Sequence, residues 1–245
     1  MKLGYWPKCF FINVKIVYFY TKQDDNTNYS LKHLVMREEI RKFIAEITFN
    51  DPSGVVINLE TNSNCKSIDL GGIAKGYAVD EVRKTLEEGG IKYALIYMGG
   101  DIAVIGNKPE GGLWRIGIED PRYQNEGSRH FAVIEGADLS VVTSGDYQRY
   151  IEIDGKRYHH IFNPYTGYPA EANVMSTTVV GKSSIDADAL ATAIFVLGVD
   201  EGLKIMEKTN EFDGIIVTKD KYVYITKGLK DKVDIIKKEY NQGNI

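Results

Sequence analysis

Cysteine is scarce: the 245 residues contain two, Cys9 and Cys65, and neither belongs to a C-x-x-C pair. A disulfide framework is therefore excluded as the basis of the fold, and the four histidines show no zinc-ligand spacing. Long apolar runs are missing too, since nothing approaches the ~20 residues that a spanning helix needs. The stretch Phe10–Tyr18 is apolar but interrupted by Asn13 and Lys15, and no small-residue cleavage site follows it. It reads as a buried strand rather than a signal peptide. An excess of one charge is absent as well: 30 basic and 34 acidic side chains leave a net charge of −4, with the signs interspersed. Nucleic acid is not an expected partner, because its binders carry a basic face or stripe. A nucleotide remains allowed, since small phosphate sites rest on local backbone N–H groups and metals. There is neither a Walker loop nor a G-x-G-x-x-G, and no internal repeat or low-complexity linker.

What is present suits a core that needs no staples: 43% of the residues are apolar and 26% charged. The expected division is a divergent segment over 1–54, with weak signal, and a domain over 55–245. Helical spacing covers 31–46, a turn cluster follows at Asn50–Gly54, and 55–59 reads as a strand. A helix is expected over 73–88 with a Gly89-Gly90 stop, then a strand over 93–98 that ends at Gly99-Gly100-Asp101. Further strands fall at 114–118, 130–134, 139–143 and 173–180. Asp154-Gly155 marks a hairpin between 149–153 and 156–161. Helices over 185–197 and 200–208 precede a closing hairpin, 215–218 with 222–226. Hairpin links dominate, so the fold class is α+β: a layered domain with a largely antiparallel sheet and packed helices.

Four clusters carry possible chemistry. In Asp69-Leu70-Gly71-Gly72-Ile73-Ala74-Lys75-Gly76, paired glycines open a helix whose N–H groups favour anionic oxygens, with Lys75 one turn in. The plain alternative is a glycine turn with a solvated lysine. Asp188 and Thr192 lie four apart, so a carboxylate and a hydroxyl leave one helix face, a donor pair that suits Mg²⁺. Capping of the helix by Asp186 or Asp188 is the alternative there. Tyr158–Pro169 sets two histidines before an Asn-Pro turn, and a histidine at that strand end is placed for acid–base work near neutral pH. Otherwise these are two strand histidines on opposite faces. Thr143–Tyr150 gathers hydroxyls, a carboxylate and a guanidinium on a glycine turn.

Taken in order, DLGGIAKGYAVD, GGD, TSGDYQRY, HHIFNPYTGYP and DADALATAIFVLG resemble the motif series of the FAD:protein FMN transferases, the ApbE family, over roughly residues 55–227. The resemblance implies Mg²⁺-dependent transfer of FMN from FAD to a threonine of an acceptor protein, with release of AMP. It implies Mg²⁺ held by the carbonyl of Gly72 with Asp188 and Thr192. FAD contacts would fall at Asp69, Lys75 and the backbone of Ile161, and His160 would be the base. The implied partner is a flavin-acceptor subunit of a membrane electron-transport complex. The family works outside the cytoplasmic membrane, whereas the chain as written shows no leader and is expected to be cytoplasmic. Asn163 stands where the family has aspartate. A Met-Gly-Thr strand and a G-A-F-D-x-T-x-G-P-L segment are not found before Asp69. An open flavin pocket with weakened FAD binding is therefore expected, and a flavin- or nucleotide-binding module without transfer is the alternative function.

Overall fold

The computed structural model of the chain describes residues 71–242, and the backbone of two strands before them, β1 (Ala45–Phe49) and β2 (Ile57–Thr61). The chain forms two compact units, Met1–Asp69 with Phe162–Tyr168, and Leu70–Ile161 with Pro169–Ile245.

In the first unit β1 and β2 pair antiparallel, Ala45 opposite Thr61 and Phe49 opposite Ile57. The helical reading of 31–46 is therefore wrong at Ala45 and Glu46, which are extended; Ile47 and Phe49 alternate with polar residues in the period of a strand. The strand expected at Phe10–Tyr18, the remainder of that helix and the Asn50–Gly54 turn lie outside the described residues. The turn at 162–168 is organised by Asn163. Its side-chain oxygen accepts from Tyr165 N (2.9 Å), its carbonyl from Gly167 N (2.9 Å), and its N–H donates to Tyr168 O (2.8 Å). Asparagine thus supplies the acceptor that an aspartate would supply in such a turn.

The second unit is layered. Its main sheet contains β3 (Ala94–Met98), β4 (Asp101–Ile105), β7 (Ser140–Gly145), β10 (Val174–Gly181), β11 (Asp213–Thr218), β12 (Tyr222–Ile225) and β14 (Asn241–Gln242). Their spatial order is β14-β12-β11-β10-β7-β4-β3, and every pairing is antiparallel except β12 with β14. A smaller sheet is built from β5 (Trp114–Glu119), β6 (His130–Gly136) and β13 (Val233–Ile235), and β8 (Tyr150–Ile153) with β9 (Lys156–His159) forms a hairpin. Val104, Ile116, Phe131, Ile134, Met175 and Ile215 fill the core that joins the two sheets. The other face of the main sheet carries α1 (Ala74–Glu88) and α2 (Ser184–Leu197), followed by α3 (Val199–Lys208). The architecture is the expected α+β arrangement. Strands β4, β13 and β14 were not anticipated; β13 and β14 are two or three residues long and carry little periodic signal.

The two helices that frame the site cap one another. The first turn of α1 has no side-chain cap of its own, and its Gly76 N–H donates to Asp188 Oδ2 at 3.0 Å. In return Asp80 of α1 accepts from Ser184 N (2.9 Å) and Ile185 N (3.0 Å) at the start of α2. Orphan donors at both helix starts are thereby satisfied across 104 to 112 residues of sequence. Ser183 is the local cap of α2, accepting from Asp186 N at 3.3 Å. The close approach requires a glycine, because a Cβ on Gly76 would lie 2.4 Å from Ser184 O and 2.7 Å from Ile185 Cα. Both obstacles are backbone and cannot swing aside. In an open helix Gly→Ala would stabilise by about 1 kcal/mol. Here overpacking should outweigh that gain, giving a net loss of roughly 2 kcal/mol for Gly76→Ala. Chemical denaturation of the two proteins measures it, and an unchanged midpoint would contradict the crossing.

Candidate active site

Helix α2 brings its chemistry inside the protein. Ser184, Ala187, Asp188, Ala191, Thr192 and Phe195 recur at spacings of three and four and are buried, so the helix lays this stripe against the sheet and α1. Two members of the stripe are polar, and buried polar groups need partners. Thr192 Oγ1 is hydrogen-bonded to Ser144 Oγ of β7 at 3.0 Å. Asp188, 3% exposed, accepts from Gly76 N and has its other oxygen 3.9 Å from Lys75 Nζ. Burial pushes the Asp188 carboxyl above the usual carboxylate range, and the Lys75 charge and the Gly76 N–H oppose that rise.

Lys75 lies closer to another carboxylate. Asp101 opens β4 on the side facing α1 and is 1% exposed. Its two oxygens accept from Lys75 Nζ at 2.8 and 2.7 Å. Burial raises this carboxyl to about 6 despite the ammonium, and Asp188 adds to the rise. The approach passes the Gly99-Gly100 turn, where both residues have positive φ, +56° and +101°. A Cβ on Gly99 would lie 3.6 Å from Lys75 Cδ, and one on Gly100 would lie 3.6 Å from Gln148 Nε2. Glycine is needed here for backbone conformation.

The two histidines have different surroundings. His159 is buried, its Nε2 bonded to Ala170 O (3.1 Å) and its Nδ1 accepting from Ile161 N (3.3 Å), with its ring edge-on to Phe195. Both nitrogens are committed to structure. His160 is half-buried and lies beside Arg149, whose carbonyl is 3.1 Å from His160 Nδ1. A carbonyl only accepts, so in the neutral ring Nδ1 carries the hydrogen and Nε2 is the basic nitrogen. Burial holds both histidines below the ordinary imidazole value; for His160 the positive charges of Arg149, His159 and Lys75 act in the same direction.

The four sequence clusters thus meet through named contacts. Lys75 joins the glycine loop to Asp188 and to Asp101, Ser144 joins the TSGDYQRY segment to Thr192, and Arg149 joins that segment to His160. Gly72 is buried in the turn before α1. Ile161 is buried too, its N–H donating to His159 and its carbonyl accepting from Ala170 N at 2.9 Å. A ligand contact with its backbone would have to use the second lone pair of that carbonyl. Asp69 lies outside the described residues. The participants that sequence reasoning missed are Asp101 and Ser144. Both sit in segments it had noticed, but their partners are 26 and 48 residues away.

The donor set suits a hard divalent cation. Two buried carboxylates face one ammonium, Asp101 at 2.7 and 2.8 Å and Asp188 at 3.9 Å. Carboxylate and hydroxyl oxygens are the ligands Mg²⁺ prefers. Among the described residues, no three His, Cys, Asp or Glu side chains cluster as an all-protein cage.

The chain is similar to known proteins in sequence and in fold. The ApbE family model matches residues 17–216. An FAD:protein FMN transferase of Treponema pallidum is 38% identical over 177 residues, 69% of this chain and 48% of that protein. One from Klebsiella pneumoniae is 39% identical over 159 residues, 65% of this chain and 48% of that protein. Among solved structures, the ApbE protein of Thermotoga maritima superposes with a TM-score of 0.68 at 35% identity, covering 80% of this chain and 63% of its own. The flavin transferase ApbE of Vibrio cholerae gives 0.66 at 30%, covering 86% and 65%. The chain spans about half the length of the curated relatives it matches. With a match over most of its length, the chain belongs to the ApbE family.

Proposed function

We propose that the protein transfers FMN from FAD to a threonine side chain of an acceptor protein, in a Mg²⁺-dependent reaction that releases AMP. The observation that carries this reading is the pairing of Lys75 with Asp188 across two helices, with Thr192 on the same buried stripe as Asp188 and His160 near enough to feel the Lys75 charge. Relatives named FAD:protein FMN transferase support the reaction class. The acceptor is a flavin-carrying subunit of a membrane electron-transport complex.

Asp188, Thr192 and the carbonyl of Gly72 would hold the Mg²⁺, which when bound neutralises charge on the pyrophosphate of FAD. Lys75 adds positive charge beside the same oxygens. His160 Nε2 takes the proton of the acceptor threonine hydroxyl. The threonine oxygen forms a bond to the phosphorus on the FMN side, and the bond from that phosphorus to the bridging oxygen breaks. AMP leaves with the electron pair, and the chain's task is largely positioning and charge neutralisation. Incubation with FAD, Mg²⁺ and a threonine-bearing acceptor domain should give a fluorescent acceptor band heavier by one FMN. FAD binding with no such band would favour a binding module without transfer.

A further inference from the structure

Lys75 lies between two buried carboxylates and is shared unequally. Its ammonium is 2.7 and 2.8 Å from the Asp101 oxygens and 3.9 Å from Asp188 Oδ1. The lysine stem is long and flexible, with about a third of the side chain exposed. Asp101 is short, 1% exposed and fixed at the first residue of a sheet strand, after a glycine turn that brings it level with the lysine. The rigid partner therefore sets where the ammonium sits.

Without Asp101 the nearest carboxylate to that ammonium is Asp188. A buried, desolvated carboxylate draws a mobile cation strongly, because leaving it unpaired is costly. The lysine would then occupy Asp188 Oδ1 while Gly76 N keeps Oδ2, and a divalent cation would have to displace a salt bridge. We infer that Asp101 is a positioning residue that clamps the Lys75 ammonium away from Asp188 and so keeps Asp188 available to a divalent cation. The inference rests on the reading of Asp188 as a cation ligand given above. It assigns Asp101 no contact with FAD or with the reacting atoms.

The test is cation binding by the purified chain, measured by calorimetry with Mg²⁺ and by the electron paramagnetic resonance of Mn²⁺. Charges coupled in one network shift an equilibrium by a few-fold to about a hundredfold, and Asp101→Asn should weaken cation binding by about tenfold. Adding Lys75→Met to Asp101→Asn should restore the affinity, because no ammonium is left to occupy Asp188. A purely structural role for Asp101 would give a double variant no better than the single one. Asp101→Ser, read in the same way, serves if the asparagine variant does not fold. Unchanged affinity in the single variant, or no recovery in the double, overturns the inference while leaving the Asp188 site standing. A wild-type chain that binds neither cation overturns that site, and the inference with it.

Discussion

Replacing His160 by alanine should lower FMN transfer by about 10²- to 10⁴-fold, the ordinary contribution of a positioned general base, and leave FAD binding largely intact. The expectation comes from the ring's two nitrogens. Nδ1 is bonded to Arg149 O, so the neutral ring presents Nε2 as the base. Burial, with Arg149, His159 and Lys75, holds the imidazole below its ordinary 6.5, so it is neutral and proton-accepting at pH 7. In the wild type, transfer should be level near neutrality and fall on the acid side as His160 becomes protonated. That acid limb should vanish in His160→Ala. His159→Ala is the contrast. Its ring bonds Ala170 O and the Ile161 N–H and packs on Phe195, so the loss should appear as stability, about 1–3 kcal/mol. Single-turnover rates across pH 5–8 for the three proteins decide the assignment. Wild-type rates in His160→Ala would remove this residue from the mechanism.

The placing of Asp188, Thr192 and Lys75 on helices was legible because each is a local signal in a regular element. The i, i+4 spacing of Asp188 and Thr192 sets them on one face of α2, and both do lie on its buried stripe. The strand expected over 156–161 stops at His159, which is buried; His160 follows in a bend and is half-buried, so alternation along a strand is not what separates the two. The glycine pair before α1 and the Gly89-Gly90 stop bound that helix as expected, at Ala74 and Glu88. The unread parts are long-range. Asp188 caps a helix, as the plain reading allowed, but the helix is α1 rather than its own, and no local pattern predicts a bond across 112 residues. Asp101 looked like the end of a turn because its partner is on another element, and the short apolar run after it, Ile102–Ile105, was left unassigned. The error at Ala45 has a similar origin. Apolar residues at mixed spacing satisfied a helical period up to that point, while pairing with β2 decided the conformation.

Asp188 has two duties, which two substitutions should separate. One oxygen caps α1 through Gly76 N, and the carboxylate charge is what a divalent cation would use. Asp188→Ala removes both. It should cost about 1–2 kcal/mol of stability as a lost cap, and abolish measurable Mg²⁺ binding. Asp188→Asn keeps an acceptor for Gly76 N but carries no charge. Burial raises the native carboxyl, so its folded pKa lies above its unfolded one. Folding then binds a proton, and the native chain loses stability as pH rises from the ordinary carboxylate value through the raised one. Asparagine has no such loss. In the absence of cation, at neutral pH, Asp188→Asn should therefore unfold within about 1 kcal/mol of wild type, while the alanine variant is weaker. Transfer should fall in both by about 10²- to 10³-fold, as when one electrostatic stabiliser of a transition state is deleted. Denaturant titrations read the first duty and Mg²⁺ calorimetry the second. If Asp188→Asn binds Mg²⁺ as tightly as wild type, the cation is held elsewhere, and Asp188 remains only as the cap that ties α2 to the start of α1.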